Sequence, residues 1–141
     1  MITKSGSAEW TGGLKDGKGS ISTESGVLDS APYGFAKRFG DEAGTNPEEL
    51  IGAAHAACFS MALSNILGGE GITPDRIETT SKVSLEQKDG GFAITKIHLV
   101  TQIVADAPED KLMESAEKAK ANCPVSKVLA GAEITMEATV G

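Results

Sequence analysis

Aromatic side chains are scarce in this sequence. Only 4% of the 141 residues are aromatic, although 40% are hydrophobic. A chain of this length can bury a core as one domain, but that core is modest and must be built from Ala, Val, Ile, Leu and Met. We therefore expect a single domain over residues 1–141 whose packing would gain from tight dimerisation.

Positive charge is also in short supply. Thirteen Lys and Arg residues stand against 20 Asp and Glu residues, which gives a formal net charge of −7. Non-specific nucleic-acid binding needs cationic side chains that displace counterions from phosphates, so the composition argues against that function. An anionic membrane surface is disfavoured for the same reason.

Cysteine is limited to Cys58 and Cys123. A secretory signal would place an apolar segment after the basic residue Lys4, and none follows it. We therefore expect a cytoplasmic protein, in which a permanent structural disulfide is unusual. The two thiols are either quiet core residues or chemically active ones.

The longest apolar segment, residues 45–63, predicts one helix. Asn46 is a good N-cap, Pro47 suits the first helical position, and the Glu49 side chain can bond back to the cap residue. Most of the residues that follow are small and apolar, which is typical of a buried helix. Four polar residues interrupt the run that a membrane span would need: His55, Ser60, Ser64 and Asn65.

The rest of the chain predicts an α+β domain. Helical spacing indicates a helix at residues 108–121 and another that begins at Pro124. This order lacks the regular strand–helix alternation of a parallel sheet, so we expect antiparallel sheets around the long buried helix. Strands are predicted at residues 2–10, 19–23, 35–39, 76–87, 92–104 and 132–140, with an irregular strand and loop at 24–34.

The two cysteines occupy different electrostatic settings. Cys123 comes just before a predicted helix, where unpaired N–H groups and the helix dipole lower the pKa of a thiol. Cys58 lies within a helix, so its thiolate would need a nearby cation. Both could equally be small buried hydrophobes, which is how free cysteine usually behaves.

Arg38 and Glu48 are the charged candidates for such a site. Arg38 interrupts an apolar segment before the central helix, although it could equally be a solvated surface residue. Glu48 precedes Cys58 by ten residues, which separates them by about 15 Å along one helix. If both belong to one site, either Arg38 bridges toward them or Glu48 arrives from a partner chain, and we prefer the second hypothesis.

His55 permits one further interpretation. It stands three residues before Cys58, so these two side chains and Cys123 could form a soft-metal site. Three ligands without an obvious fourth are a poor zinc signal, and a hydrogen-bonded core histidine is the better explanation.

Two segments resemble a known family. They read TNPEELIGAAHAACFSMAL at residues 45–63 and NCPVS at residues 122–126. Together they resemble the OsmC/Ohr family, the osmotically inducible and organic hydroperoxide resistance proteins. The segments at residues 22–28, 32–35 and 91–97 are similar to the OsmC branch, and the resemblance covers nearly the whole chain.

This resemblance implies a thiol peroxidase that reduces organic hydroperoxides, and also hydrogen peroxide, in stress defence. It implies that Cys58 is the peroxidatic cysteine, that Cys123 is the resolving cysteine, and that Arg38 holds the thiolate while pairing with Glu48. It further implies an intertwined α+β homodimer with two sites at the interface, and an external dithiol reductant such as a lipoylated protein. No metal, haem or flavin is implied.

Two other functions fit the same fold, because a fold does not guarantee an activity. One is a non-catalytic stress-related protein that binds a small apolar ligand and carries the cysteines incidentally. The other is a soft-metal binder that uses Cys58, Cys123 and His55.

Overall fold

The computed structural model describes residues 1–141, which form six strands and four helices. Two compact units can be distinguished, residues 1–50 and residues 51–141, and helix α2 runs through the boundary. The single domain over residues 1–141 stays a prediction. The elements in chain order are β1 (Gly6–Thr11), β2 (Lys18–Thr23), β3 (Ala31–Tyr33), α1 (Phe35–Phe39), α2 (Pro47–Gly69), β4 (Arg76–Lys88), β5 (Gly91–Val104), α3 (Glu109–Asn122), α4 (Pro124–Val128) and β6 (Glu133–Val140).

Residues 1–50 contain an antiparallel sheet in the order β1-β2-β3, followed by α1 and the first turn of α2. The rings of Trp10 and Tyr33 pack with centroids 5.4 Å apart. Gly19 lies against both rings, and a Cβ at this position would collide with them. A residue without a side chain is therefore required in the middle of this sheet.

The strand predicted at residues 35–39 is wrong, because this segment is helix α1. Phe35 and Phe39 lie four residues apart, and that spacing puts them on one side of either a strand or a helix. Their rings pack with centroids 5.0 Å apart. A segment of five residues is too short for the spacing of its apolar side chains to distinguish a helix from a strand.

Residues 51–141 contain the second sheet, in the order β4-β5-β6. The predicted hairpin is confirmed: β4 and β5 pair antiparallel, and Asp89 and Gly90 at the turn have φ values of 52° and 82°. Positive φ at both central residues matches the twist of two-residue hairpins. Strand β6, however, pairs parallel with β5, so the expectation of purely antiparallel sheets is corrected here. Helices α3 and α4 supply the crossover connection that parallel strands require.

Helix α2 provides one wall of the core in this unit. Three of its apolar side chains are fully buried, Phe59, Leu63 and Leu67, and they cluster with buried residues of β5 and α3. By length and composition α2 could cross a membrane, with a mean hydropathy of 1.5, but only 28% of that segment is buried within the chain. The helix is therefore covered on one face only, and Met61 on the other face is 77% exposed.

The start of α2 follows the predicted cap. The Asn46 side-chain oxygen accepts the N–H of Glu49 at 2.8 Å. The return bond from the Glu49 side chain is not formed, since that side chain points to solvent. Half of the predicted capping box is thus present, and it suffices to satisfy one of the free N–H groups of the first turn.

Candidate active site

Cys58 lies in the middle of α2, and Cys123 lies between α3 and α4. Cys123 ends one helix and begins the next. Its N–H donates to the Ala119 carbonyl at 3.0 Å, and its Sγ accepts the N–H of Ser126 at 3.3 Å. Pro124 takes the first helical position, as predicted, because it has no N–H to leave unpaired. The position of the Cys123 thiol is therefore fixed by two helix ends.

Both thiols line one cavity of about 440 Å³. Most of its wall is apolar, and the thiols of Cys58 and Cys123 are free. The cavity is large enough for a small organic molecule. Its lining consists of Cys58, Met61, Ala62, Asn65, Ile66, Ala119, Asn122, Cys123 and Pro124.

The Cys58 thiol is held mainly in its neutral form by its surroundings. Burial raises its pKa, and so does the neighbouring Cys123 thiol, with which it forms a hydrogen bond. The backbone N–H of Val125, in the first turn of α4, opposes this effect and lowers the pKa. Within residues 51–141 no cationic side chain acts on Cys58. A reactive thiolate therefore needs a cation from elsewhere.

Arg38 and Glu48 form a close ion pair within residues 1–50. The Arg38 Nε lies 3.1 Å and 3.2 Å from the two Glu48 carboxylate oxygens, and its Nη2 lies 2.8 Å from Oε1. The Glu48 side chain is only 10% exposed, whereas that of Arg38 is 36% exposed. The guanidinium also lies over the Phe39 ring at 5.2 Å. This forked pairing fixes the orientation of the guanidinium as well as its position.

His55 is fully buried on the core side of α2. Its Nδ1 lies 3.2 Å from the Ser81 hydroxyl, and its Nε2 lies 2.8 Å from the Ser126 hydroxyl. Burial lowers the pKa of this imidazole, so it is neutral at pH 7. Both ring nitrogens are thus occupied by hydroxyl groups, and no group of three or more His, Cys, Asp or Glu side chains is placed to hold a metal ion. The hydrogen-bonded core histidine is confirmed, and the soft-metal site lacks its geometry.

Ser126 was not assigned a role from the sequence. Its hydroxyl lies 3.0 Å from Cys123 Sγ and 2.8 Å from His55 Nε2, so it connects the two side chains. The available signal was its spacing, because the third residue after an N-cap faces the cap side chain. The His55 end of this connection comes from a distant part of the chain, and no local pattern reveals it.

The predicted site residues therefore fall into two pairs. Cys58 and Cys123 share a cavity in the unit of residues 51–141. Arg38 and Glu48 pair within the unit of residues 1–50. Each pair is formed by a single chain, so Glu48 has its arginine without a partner chain.

Comparisons with known sequences agree with the resemblance. The family model described as OsmC-like protein matches residues 40–139. Peroxiredoxin OsmC of Escherichia coli strain K12 is 58% identical over 137 residues, which cover 96% of this chain and 95% of that protein. Organic hydroperoxide resistance protein OhrB of Bacillus subtilis strain 168 is 38% identical over 118 residues, which cover 80% of this chain and 82% of that protein.

Solved structures share the fold. An organic hydroperoxide resistance protein from Elizabethkingia anophelis superimposes with a TM-score of 0.76 at 28% identity, covering 100% of this chain and 96% of that one. OhrB of Bacillus subtilis gives a TM-score of 0.72 at 30% identity, covering 97% and 98%. The predicted α+β fold with its long central helix is therefore confirmed.

Proposed function

The chain belongs to the OsmC-like protein family, and on that premise we propose that it is a thiol-dependent peroxidase. It reduces organic hydroperoxides, and also hydrogen peroxide, in defence against oxidative and osmotic stress. Support comes from relatives named peroxiredoxin and organic hydroperoxide resistance protein. The observation that carries the proposal is that Cys58 and Cys123, both free, line one apolar cavity.

In the first step the Cys58 thiolate attacks the outer oxygen of the peroxide. The O–O bond breaks, the sulfur becomes a sulfenic acid, and the alkoxide takes a proton and leaves as alcohol. Burial raises the pKa of Cys58, so this step requires a cation. We assign that role to Arg38, held in orientation by Glu48. In an intertwined homodimer the Arg38–Glu48 pair can be supplied by either chain.

In the second step the Cys123 thiol attacks the Cys58 sulfenic acid. A Cys58–Cys123 disulfide forms and the sulfenic hydroxyl leaves as water. An external dithiol then reopens the disulfide by thiol exchange. A lipoylated protein is the reductant that the family suggests. The sulfur atoms carry the two electrons of the reaction, so the proposal requires no metal or organic cofactor.

The cavity wall favours organic substrates. Met61, Ala62 and Ile66 supply apolar surface beside Cys58, and a cavity of about 440 Å³ can hold the carbon skeleton of an alkyl hydroperoxide. Hydrogen peroxide would fit but would gain little from these contacts. We therefore expect a lower KM for an alkyl hydroperoxide than for hydrogen peroxide.

The proposal includes a homodimer in the cytoplasm. The outer face of α2 carries exposed small residues at Ala53, Ala54 and Ala57, followed by the exposed Met61. An apolar helix face of this kind is usually covered, and small side chains allow another helix to approach closely. A second copy of the chain is the occupant that the family suggests.

A count of free thiols tests the proposal. Reduced protein is treated with one equivalent of cumene hydroperoxide, alongside the variants Cys58→Ser and Cys123→Ser. We expect the wild type to lose both thiols, Cys58→Ser to keep its one thiol, and Cys123→Ser to stop at a sulfenic acid. Survival of both wild-type thiols would contradict the proposal and favour a non-catalytic protein that binds a small apolar ligand.

A further inference from the structure

A chain of hydrogen bonds leads from the cavity into the core. It begins at Cys123 Sγ, passes at 3.0 Å to the Ser126 hydroxyl, and continues at 2.8 Å to His55 Nε2. The other ring nitrogen, Nδ1, lies 3.2 Å from the Ser81 hydroxyl. The links come from α4, α2 and β4, and every member lies in the unit of residues 51–141.

One assignment of protons gives every group in this series of hydrogen bonds a matching donor or acceptor. If Nδ1 carries the ring proton and donates to Ser81, then Nε2 accepts from the Ser126 hydroxyl, and the Ser126 oxygen accepts from the Cys123 thiol. Ser126 also fixes the sulfur through its backbone N–H at 3.3 Å. A thiol proton can then pass to the imidazole through one hydroxyl, with no water required.

The imidazole is suited to receive a proton only briefly. Its pKa is lowered by burial, and one of its two hydroxyl neighbours, Ser126, bonds the Cys123 thiol. Burial is the cause of this lowered pKa, and no charged side chain acts on the ring. His55 is therefore ready to accept at pH 7 and does not retain the proton.

We propose that His55, acting through Ser126, accepts the proton of the Cys123 thiol when Cys123 attacks the oxidised Cys58. This inference rests on the proposed two-cysteine reaction and assigns its second step a proton acceptor. It also gives a chemical role to a buried histidine whose two ring nitrogens bond hydroxyl groups.

The step balances as follows. The Cys123 S–H bond breaks while the S–S bond to Cys58 forms, and the hydroxide that leaves Cys58 takes a proton from solvent in the cavity to become water. The Cys123 proton moves to the Ser126 oxygen while the Ser126 proton moves to His55 Nε2. As the new S–S bond forms, the thiol proton becomes strongly acidic, so a weak base suffices. His55 then loses this proton to solvent, because its lowered pKa favours the neutral ring at pH 7. When an external dithiol reopens the disulfide, the protons of the dithiol pass to the two cysteines.

Ser126→Ala is the variant that tests this proposal. It removes the hydroxyl link but keeps the backbone N–H that fixes the sulfur. Rapid mixing with cumene hydroperoxide, quenching with a thiol-blocking reagent and mass spectrometry measure the sulfenic acid and the disulfide separately. We expect Cys58 oxidation at the wild-type rate and disulfide formation slowed by about 100-fold, at the lower end of general-base effects. Ser60→Ala is the matched control. The Ser60 hydroxyl bonds Thr79 at 2.8 Å and is not part of the hydrogen-bond series from Cys123 to Ser81.

The pH profile separates a proton acceptor from a merely structural serine. In the wild type the rate of disulfide formation should be nearly flat above about pH 6.5, because burial lowers the pKa of His55 from the ordinary imidazole value of about 6.5 and the ring is then mostly neutral. In Ser126→Ala the proton of Cys123 must pass directly to a base in solvent, so the rate of disulfide formation should rise steadily with pH over the same range. His55→Gln, which keeps a hydrogen bond but cannot take a proton, should behave in the same way.

A wild-type rate and profile for Ser126→Ala would overturn the proposal, and so would equal slowing of both steps. A wild type that forms no disulfide would instead overturn the proposed function. The two failures are distinguishable, because failure of the proposed function is seen in the wild-type protein alone, whereas failure of the proton-acceptor proposal is seen only by comparison with a variant.

Discussion

The Cys58 thiol is harder to ionise than an ordinary cysteine, because burial and the Cys123 thiol both raise its pKa. One backbone N–H, from Val125, works against them. A helix-end N–H group and a guanidinium together are the kind of setting in which reactive thiolates occur. At the scale of single residues, the proposed reaction therefore requires a cation beside Cys58, and we propose that Arg38 supplies it.

Arg38→Ala should slow peroxide reduction by at least tenfold. The structure also predicts a cost in stability. Glu48 is buried with Arg38 as its partner, so removing Arg38 leaves a carboxylate uncompensated, at a cost of about 1–3 kcal/mol. Urea unfolding and peroxide consumption with a dithiol reductant would measure the two effects.

The double variant Arg38→Ala/Glu48→Gln separates activity from stability. Without a buried charge, the free energy of unfolding should return most of the way to that of the wild type, while activity stays low. Wild-type activity in either variant would remove Arg38 from the mechanism.

At the scale of elements, the local signals in the sequence were sufficient where a short segment decides the structure. Asn46 at the start of α2, Pro124 at the start of α4 and the hairpin turn at Asp89 and Gly90 all follow local backbone rules. The strand predicted at residues 35–39 was wrong because a pattern of only five residues fits the period of a helix as well as that of a strand. The parallel direction of β6 could not be foreseen, since alternation shows which side chains share a face and not which way a strand runs.

The same limit applies to the site. The resemblance suggested which cysteines would meet, but the Ser126 link to His55 joins residues 71 positions apart and exists only once α2 and α4 pack together. Ser81, the other partner of His55, is 26 positions from it in the sequence. Long-range polar contacts of this kind leave no periodic trace in a single sequence.

At Gly52, helix α2 lies close against the backbone of β4. A Cβ at this position would lie 2.9 Å from the Ser81 carbonyl oxygen, which is backbone and cannot swing away. Gly52→Ala should therefore lower the free energy of unfolding by about 1–3 kcal/mol, as overpacking does. Because Ser81 bonds His55, the variant should also disturb the histidine, and urea unfolding with NMR of the imidazole would report both effects.

Gly68→Ala is the control in the same helix. Nothing lies within 4 Å of a Cβ at that position. The substitution should leave stability unchanged or raise it by up to about 1 kcal/mol, which is the helix preference of Ala over Gly. Equal effects of the two substitutions would show that α2 is not held against β4 at Gly52.

At the scale of the whole molecule, the apolar segment of α2 is only 28% buried within one chain. Covering this face would remove apolar surface from water, which a core with few aromatic residues needs. We therefore propose that a second copy of the chain covers it, with α2 near the centre of a homodimer.

Ala57→Glu should break this dimer. A charge at this exposed position on α2 would be desolvated in the interface without a partner, at a cost of several kcal/mol. Sedimentation velocity should show a dimer for the wild type and a monomer or an unfolded chain for the variant. Ala121→Glu, at an exposed position on α3, should stay dimeric, and a dimeric Ala57→Glu would place the interface elsewhere.

The most direct test of the central claim is the ratio of products in a single turnover without reductant. Wild-type protein is mixed with excess cumene hydroperoxide, the alcohol is quantified, and the linked peptides that contain Cys58 and Cys123 are counted by mass spectrometry. If the two thiols in the shared cavity act as a pair, one alcohol should form for each Cys58–Cys123 disulfide. Alcohol formed without that disulfide, or no alcohol at all, would contradict a two-cysteine peroxidase.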